Sequence, residues 1–250
     1  VRQTHRVLSL IFDSAVKDGR IARNPAAGVA LPRQVRAEPR VLTAVEVADL
    51  VAAAGDEGLS VAVLAFTGLR FGELAGLRVK RVDLLRRRLV VAESVTEVSG
   101  RLVWSTPKTH QTRSVPFPNS LASSIEQLTD GRGPDDLLFT APEGGALRLR
   151  NWRRRVFDPA VRKLDLIDVT PHDLRHTAAS LAIASGANVK AVQRMLGHAS
   201  AAMTLDVYAG LFGDDLDAVA SKLDALVPRM RHIEHRSTTT DPNTEGENSA

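Results

Sequence analysis

Val169-Thr-Pro-His-Asp-Leu-Arg-His176 holds the start of a helix and the core of a candidate anion site. Thr170 suits the cap, Pro171 the first helical position and Asp173 the third, which together place the helix start. His172 and Arg175 then lie three residues apart on one face. A helix start exposes free amides and a partial positive charge, so an imidazole and a guanidinium beside it make a receptor for one phosphate. Two plainer readings stand next to this one. His172 and Arg175 could merely decorate a capped helix, or His172 and His176, four apart, could chelate a metal. No HExxH pattern and no adjoining acidic ligand supports the metal.

Two further strings stand upstream and downstream. Thr67-Gly-Leu-Arg-Phe-Gly-Glu-Leu74 sets Arg70 just after a helix-ending glycine, with Glu73 three residues on to orient it. Met195-Leu-Gly-His-Ala-Ser200 ends one helix at Gly197 and starts another at Ser200, and Tyr208 in Met203-Thr-Leu-Asp-Val-Tyr-Ala209 is the only tyrosine of the chain. Around the first of these, Leu59–Thr67 reads as a buried helix and Phe71–Leu77 as a short one. Arg88–Val95, Gly100–Ser105 and Arg113–Pro116 read as strands of a small antiparallel meander with Lys108 near its second turn. Helices return after Pro118, with loops near Gly131-Arg-Gly-Pro134 and Pro142-Glu-Gly-Gly145. The predicted class is mainly α with a small antiparallel β-sheet.

Composition narrows the function. The chain has 250 residues, 44% of them hydrophobic, which is enough for a core and for between one and two domains. Its longest apolar run, Val61–Phe66, is far below the ~18 residues of a membrane span, and no leader pattern opens it. With no cysteine there is no disulfide framework and no thiolate metal site, which fits a reducing cytoplasm. The 33 Lys and Arg against 29 Asp and Glu leave a net charge of +4. The cations are clustered. Arg78-Val-Lys-Arg-Val-Asp-Leu-Leu-Arg-Arg-Arg88 holds six against one acid, and Arg148-Leu-Arg-Asn-Trp-Arg-Arg-Arg155 holds five and none. Such density suits DNA; its plainer reading is two solvated faces.

Helical spacing of Val7, Leu8, Leu10, Ile11, Ala15 and Val16 makes residues 1–33 the end of a helical domain. Residues 34–42 read as a linker, from their Pro and charge content. Thr43-Ala-Val-Glu46 is a capping box that opens the main domain, residues 43–235. Residues 236–250, with no hydrophobic residue before Ala250, are expected to be a disordered tail.

Taken together the strings closely resemble the tyrosine recombinases, or phage integrase family. They occur in the family's order: Thr-Gly-Leu-Arg with Arg70, Thr-Pro-Lys-Thr with Lys108, His-Asp-Leu-Arg-His with His172 and Arg175, Leu-Gly-His with His198, then Tyr208. The resemblance covers Thr43–Asp214, and more weakly Val1–Arg33 as the end of a core-binding domain. Its Arg- and Ala-rich character is closer to actinobacterial phage or mobile-element integrases than to a Xer-type resolvase. It implies a site-specific recombinase that cuts and rejoins DNA through a 3′-phosphotyrosyl link on Tyr208.

On that resemblance Arg70 and Arg175 hold the phosphate, Lys108 protonates the leaving 5′-oxygen, and His172 takes the Tyr208 proton, kept neutral by the helix start. His198 holds the phosphate or packs the arginines. Glu73 braces the cluster without meeting DNA, and His176 supports it structurally. Arg78, Lys80, Arg81, Arg148, Arg150, Arg153, Arg154 and Arg155 are expected on the DNA backbone. No cofactor and no metal is implied. The implied partners are double-stranded core sites, three more copies in a tetramer on DNA, and a host DNA-bending factor; no membrane is implied. The pattern Leu216, Val219, Leu223 and Leu226 within Asp215–Leu226 suits docking on a neighbour or on its own domain. A rival reading is a DNA-binding regulator whose helix–turn–helix spans Ala179–Leu196 with Ser185-Gly-Ala-Asn188 as its turn. A third is a related domain that binds sites without cutting.

Overall fold

A computed structural model describes residues 1–32, 40–106, 112–211 and 223–224. Lys108, residues 34–39 of the expected linker, the expected tail and all of Asp215–Leu226 except Leu223 and Asp224 lie outside these. The first helix, α1 (Arg2–Lys17), carries the expected apolar stripe but buries none of its residues. After it come α2 (Ala44–Ala53), α3 (Gly58–Thr67) and α4 (Phe71–Ala75). Thr43 caps α2 as predicted: its hydroxyl accepts from the Glu46 amide at 3.1 Å while the Glu46 carboxylate accepts from the Thr43 amide at 2.7 Å.

Five strands follow, β1 (Val82–Asp83), β2 (Arg88–Val91), β3 (Ser94–Val98), β4 (Arg101–Ser105) and β5 (Arg113–Pro116). They do not form the single meander expected. One antiparallel sheet runs β1-β2-β5, and β3 with β4 makes a separate hairpin. The predicted strand Arg88–Val95 is split at Ala92-Glu93. The break puts a charged residue between the strands, where Glu93 accepts from the Arg78 Nε at 3.2 Å. β5 then pairs with β2, Leu89 opposite Val115.

The remaining helices are α5 (Ala122–Thr129), α6 (Leu149–Trp152), α7 (Asp158–Lys163), α8 (Pro171–Ala184), α9 (Val189–Leu196) and α10 (Ala201–Tyr208), with a π-helical turn at Arg153–Phe157 joining α6 to α7. Buried on almost every side, α3 packs chiefly against α8 and α2, as its apolar run requires. Trp152, 1% exposed, fills the core beneath it and donates its indole N–H to Ser60 Oγ at 2.9 Å. Phe157 stacks on one side of Trp152 with ring centroids 5.4 Å apart. The framework thus packs α8 against both α3 and α9. Among the described residues no helix is long and apolar enough to cross a membrane.

Candidate active site

The start of α8 is built as the sequence predicts. The Asp173 carboxylate accepts from both the amide (2.8 Å) and the hydroxyl (2.6 Å) of Thr170, with Pro171 opening the helix. Arg175, one turn in, is 4% exposed. Its guanidinium donates to Gly68 O and to Leu196 O, each at 2.5 Å. Those carbonyls end α3 and α9, where Gly68 and Gly197 adopt left-handed conformations that stop each helix. One buried arginine thus ties three helices together. Two of its five N–H donors are committed among the described residues. Burial, and then the neighbouring Arg70 charge, pull its pKa down to about 10.

Arg70 follows directly on Gly68. Glu73 orients it, as expected, accepting from its amide at 2.8 Å and from its guanidinium at 3.1 Å. Half of the Arg70 side chain is open to solvent, whereas that of Glu73 is 3% exposed. Glu73 has a second partner that sequence reading missed. Arg113 of β5 donates to both of its oxygens, at 2.8 and 2.6 Å, and to Met195 O at 3.1 Å. Burial raises the Glu73 pKa, but the Arg113 hydrogen bonds and charge outweigh it and leave the carboxyl below its ordinary range. The missed signal was alternation: two residues before buried Val115, Arg113 shares its inward face.

His198 stands after Gly197, with its Nδ1 3.0 Å from the hydroxyl of fully buried Thr204. Burial, and then the charges of Arg175, Arg70 and Arg113, push its pKa down to about 4, so it is neutral at pH 7. His172 is also lowered. Burial contributes most, followed by Arg175, with Asp173 opposing them.

Tyr208 ends α10 and is 2% exposed, its pKa raised by burial and partly offset by Arg175. The sequence reading set His172 against its hydroxyl. The structure sets His176 there instead, Nδ1 to Oη 2.8 Å, because one turn further along α8 a side chain lies deeper, level with the end of α10. His172, nearer solvent and only partly covered, has its ring edge-on to His176 with centroids 4.9 Å apart. The structure therefore brings Arg70, Glu73, His172, Arg175, His176, His198 and Tyr208 to one place, and Lys108 lies outside the described residues. Among those residues no cluster of His, Asp and Glu suits a metal.

The flanking arginines are not a bare cationic face. Arg78 pairs with Glu93, Lys80 with Asp135, Arg148 with Glu97, Arg153 with Asp158 and Arg155 with Glu143. Acids outside the two runs, from 5 to 55 residues away, thus meet runs that contain almost none. Arg81 keeps a buried Nε without a partner among the described residues. Exposed Arg150 and Arg154 make no side-chain hydrogen bond or ion pair there. The turn of the helix–turn–helix reading falls as expected, between α8 and α9. The end of α9, however, is engaged by Arg175 and Arg113, which makes it part of the frame of this cluster.

Residues 40–212 match the phage integrase family. The tyrosine recombinase XerC of Corynebacterium efficiens is 32% identical over 198 residues, covering 74% of this chain and 59% of that protein. The tyrosine recombinase XerC of Xanthomonas axonopodis pv. citri is 32% identical over 224 residues, 86% of this chain and 68% of that one. The chain thus spans between 59% and 68% of the length of these two relatives. Among solved structures, the Tn1549 transposon integrase in complex with a circular intermediate DNA superposes with TM-score 0.72 at 24% identity, over 90% of this chain and 78% of that one. XerA recombinase gives 0.55 at 24%, over 87% and 75%. At this identity the likeness is one of fold, a helix-rich domain with small antiparallel sheets.

Proposed function

The chain belongs to the phage integrase family, the tyrosine recombinases, and from that premise we propose that it cuts and rejoins DNA strands at specific sites through a covalent link on Tyr208. The observation that carries this is the convergence of the Arg70 and Arg175 guanidinia, three imidazoles with lowered pKa and the only phenol of the chain, from four separate segments. A phosphodiester reacts very slowly in water because negative charge must build on its non-bridging oxygens. A site that answers this fixes cations and donors in place beforehand.

In this reading Arg70 and the remaining donors of Arg175 hold the non-bridging oxygens. His172 and His198 complete that ring of donors. Glu73 and Arg113 hold Arg70 without meeting DNA. Tyr208 Oη forms a bond to phosphorus as the bond to the 5′-oxygen breaks, leaving a 3′-phosphotyrosine and a free 5′-hydroxyl. Lys108 is proposed as the donor to that leaving oxygen. Because the phosphotyrosine keeps the bond energy for rejoining, no nucleotide is needed. Residues 1–33 are proposed as the end of a core-binding domain, joined through residues 34–42 to a catalytic domain at 43–235 that precedes a tail at 236–250. The DNA is proposed as duplex core sites held by four copies, aided by a bending factor, inside a bacterial cell. Integration or excision of a phage or mobile element is the finer reading, and it rests on the Arg- and Ala-rich composition alone.

Nicked duplexes in which the cut strand escapes make attack irreversible. A library of them should yield covalent protein on 3′-phosphate ends with the wild type and none with Tyr208→Phe. Sequencing the trapped ends reads out the site and shows whether it marks an element boundary. A wild type that binds DNA but never links to it would leave the regulator reading in its place.

A further inference from the structure

Attack by Tyr208 requires its phenol proton to go somewhere, and a group that accepts it directly lies within about 2.6–3.2 Å. Among the described residues the side chain that satisfies this is His176, with Nδ1 2.8 Å from Oη and the two rings tilted at 58°. His172 makes no hydrogen bond to Tyr208 there. It lies at the exposed start of α8 and feels the charges of Arg175 and Arg70, a position suited to a phosphate oxygen.

We propose that His176 Nδ1, and not His172, accepts the proton of Tyr208 during DNA cleavage and returns it on rejoining. The inference rests on the recombinase reading above. As Oη bonds to phosphorus its proton passes to the Nδ1 lone pair, and the electron pair of the breaking bond leaves with the 5′-oxygen. On rejoining, the 5′-hydroxyl bonds to phosphorus and returns its proton to the group that had supplied it, Lys108 in the reading above, as the bond from phosphorus to Oη breaks and His176 reprotonates the departing phenolate. This requires a neutral ring with its own proton on Nε2. The surroundings favour one: burial, and then His172, lower the His176 pKa, only partly opposed by Asp173. Arg175 on its own helix lowers it further, and Tyr208 and His198 face it from α10 and from the loop before α10. The opposite arrangement, Nδ1–H donating to Oη, would merely hold the tyrosine still.

A chain with one tyrosine permits a clean test, since fluorotyrosine supplied in place of tyrosine labels Tyr208 alone. Single-turnover adduct formation on the nicked duplexes is followed for wild type, His176→Phe, His176→Asn, His172→Asn and Tyr208→Phe, each with and without difluorotyrosine. Loss of a general base slows cleavage by about 10²–10⁴-fold. That loss is expected in both His176 variants with DNA binding retained, including the asparagine, whose amide still bonds the phenol. Difluorotyrosine, which gives up its proton more readily, should recover about tenfold or more of the rate. The wild-type rate should fall as pH drops through the His176 pKa, and this limb should vanish in His176→Asn. His176 variants that cut like the wild type, or that are slow without fluorotyrosine rescue while His172→Asn is rescued, overturn the proposal alone. A wild type that binds but forms no adduct overturns the recombinase reading and this proposal with it.

Discussion

Glu73 is a carboxylate with 3% of its side chain exposed, and it stays charged only because Arg113, itself 12% exposed, and Arg70 both reach it. Removing one partner of such a buried pair costs about 3–5 kcal/mol, because the other charge is stranded. Arg113→Met should lower stability by that order in urea unfolding and should weaken cleavage through Arg70. Arg113→Lys cannot supply the two-pronged contact and should fall between. The Glu73 pKa is depressed in the fold. Its contribution is therefore complete above the ordinary carboxyl value near ~4.3 and is lost as pH falls through the lower folded value. Acid titration of Tm should show this limb in the wild type and lose it in Glu73→Gln. His198 acts at higher pH, since its folded pKa of about 4 lies below that of a free imidazole. The stability it lends is full above ~6.5 and declines as pH falls from there toward the folded value, a slope that His198→Asn should flatten. Arg70, Arg175 and Tyr208 were legible because each stands in a short string with its own local geometry. Arg113 and Thr204 were not, since what gives them meaning is a partner 40 and 6 residues away.

Helix ends carry the architecture of the site more than helix lengths do. The capped starts of α2 and α8 were readable to the residue, because a cap is a local exchange between side chain and backbone. Strand pairing was not readable. β2 meets β5 and β3 meets β4, and alternation within each strand is silent about its neighbour. Gly197 shows how a helix end serves the cluster. Its φ is +66°, and a Cβ there would lie 2.9 Å from Arg113 Nε. Gly131 has the same φ, +66°, with nothing within 4 Å. Gly131→Ala should therefore cost only the left-handed strain, about 1–2 kcal/mol. Gly197→Ala should cost more in urea unfolding, and it alone should also slow adduct formation, because Arg113 must move and Glu73 with it. Equal losses for the two alanines would mean that Arg113 is free to give way at that end of α9.

For the molecule as a whole, the net charge of +4 says little about DNA affinity until each cation's partner is known. A phosphate contact made by an arginine already paired to an acid must first break that pair, so it gains less than a contact from a free one. Five of the eight arginines and lysines expected on DNA are paired, to Glu93, Asp135, Glu97, Asp158 and Glu143. Exposed Arg150 and Arg154, either side of the buried Trp152 anchor, have no such partner among the described residues and flank the start of the π-helical turn. Each phosphate neutralised on duplex DNA releases counterions and contributes about −0.9 to the slope of log affinity against log salt. Arg150→Ala and Arg154→Ala should each reduce that slope by about 1, uniformly across DNA sequences. Arg148→Ala and Arg155→Ala should change it less, because each of these arginines is paired to an acid, Glu97 or Glu143, and contributes less of a phosphate contact to lose. Fluorescence anisotropy across a salt series on one duplex measures all four. Equal slopes for the paired and unpaired arginines would mean that DNA strips the ion pairs at no cost, and the local runs of charge in the sequence would then be the better guide to the interface.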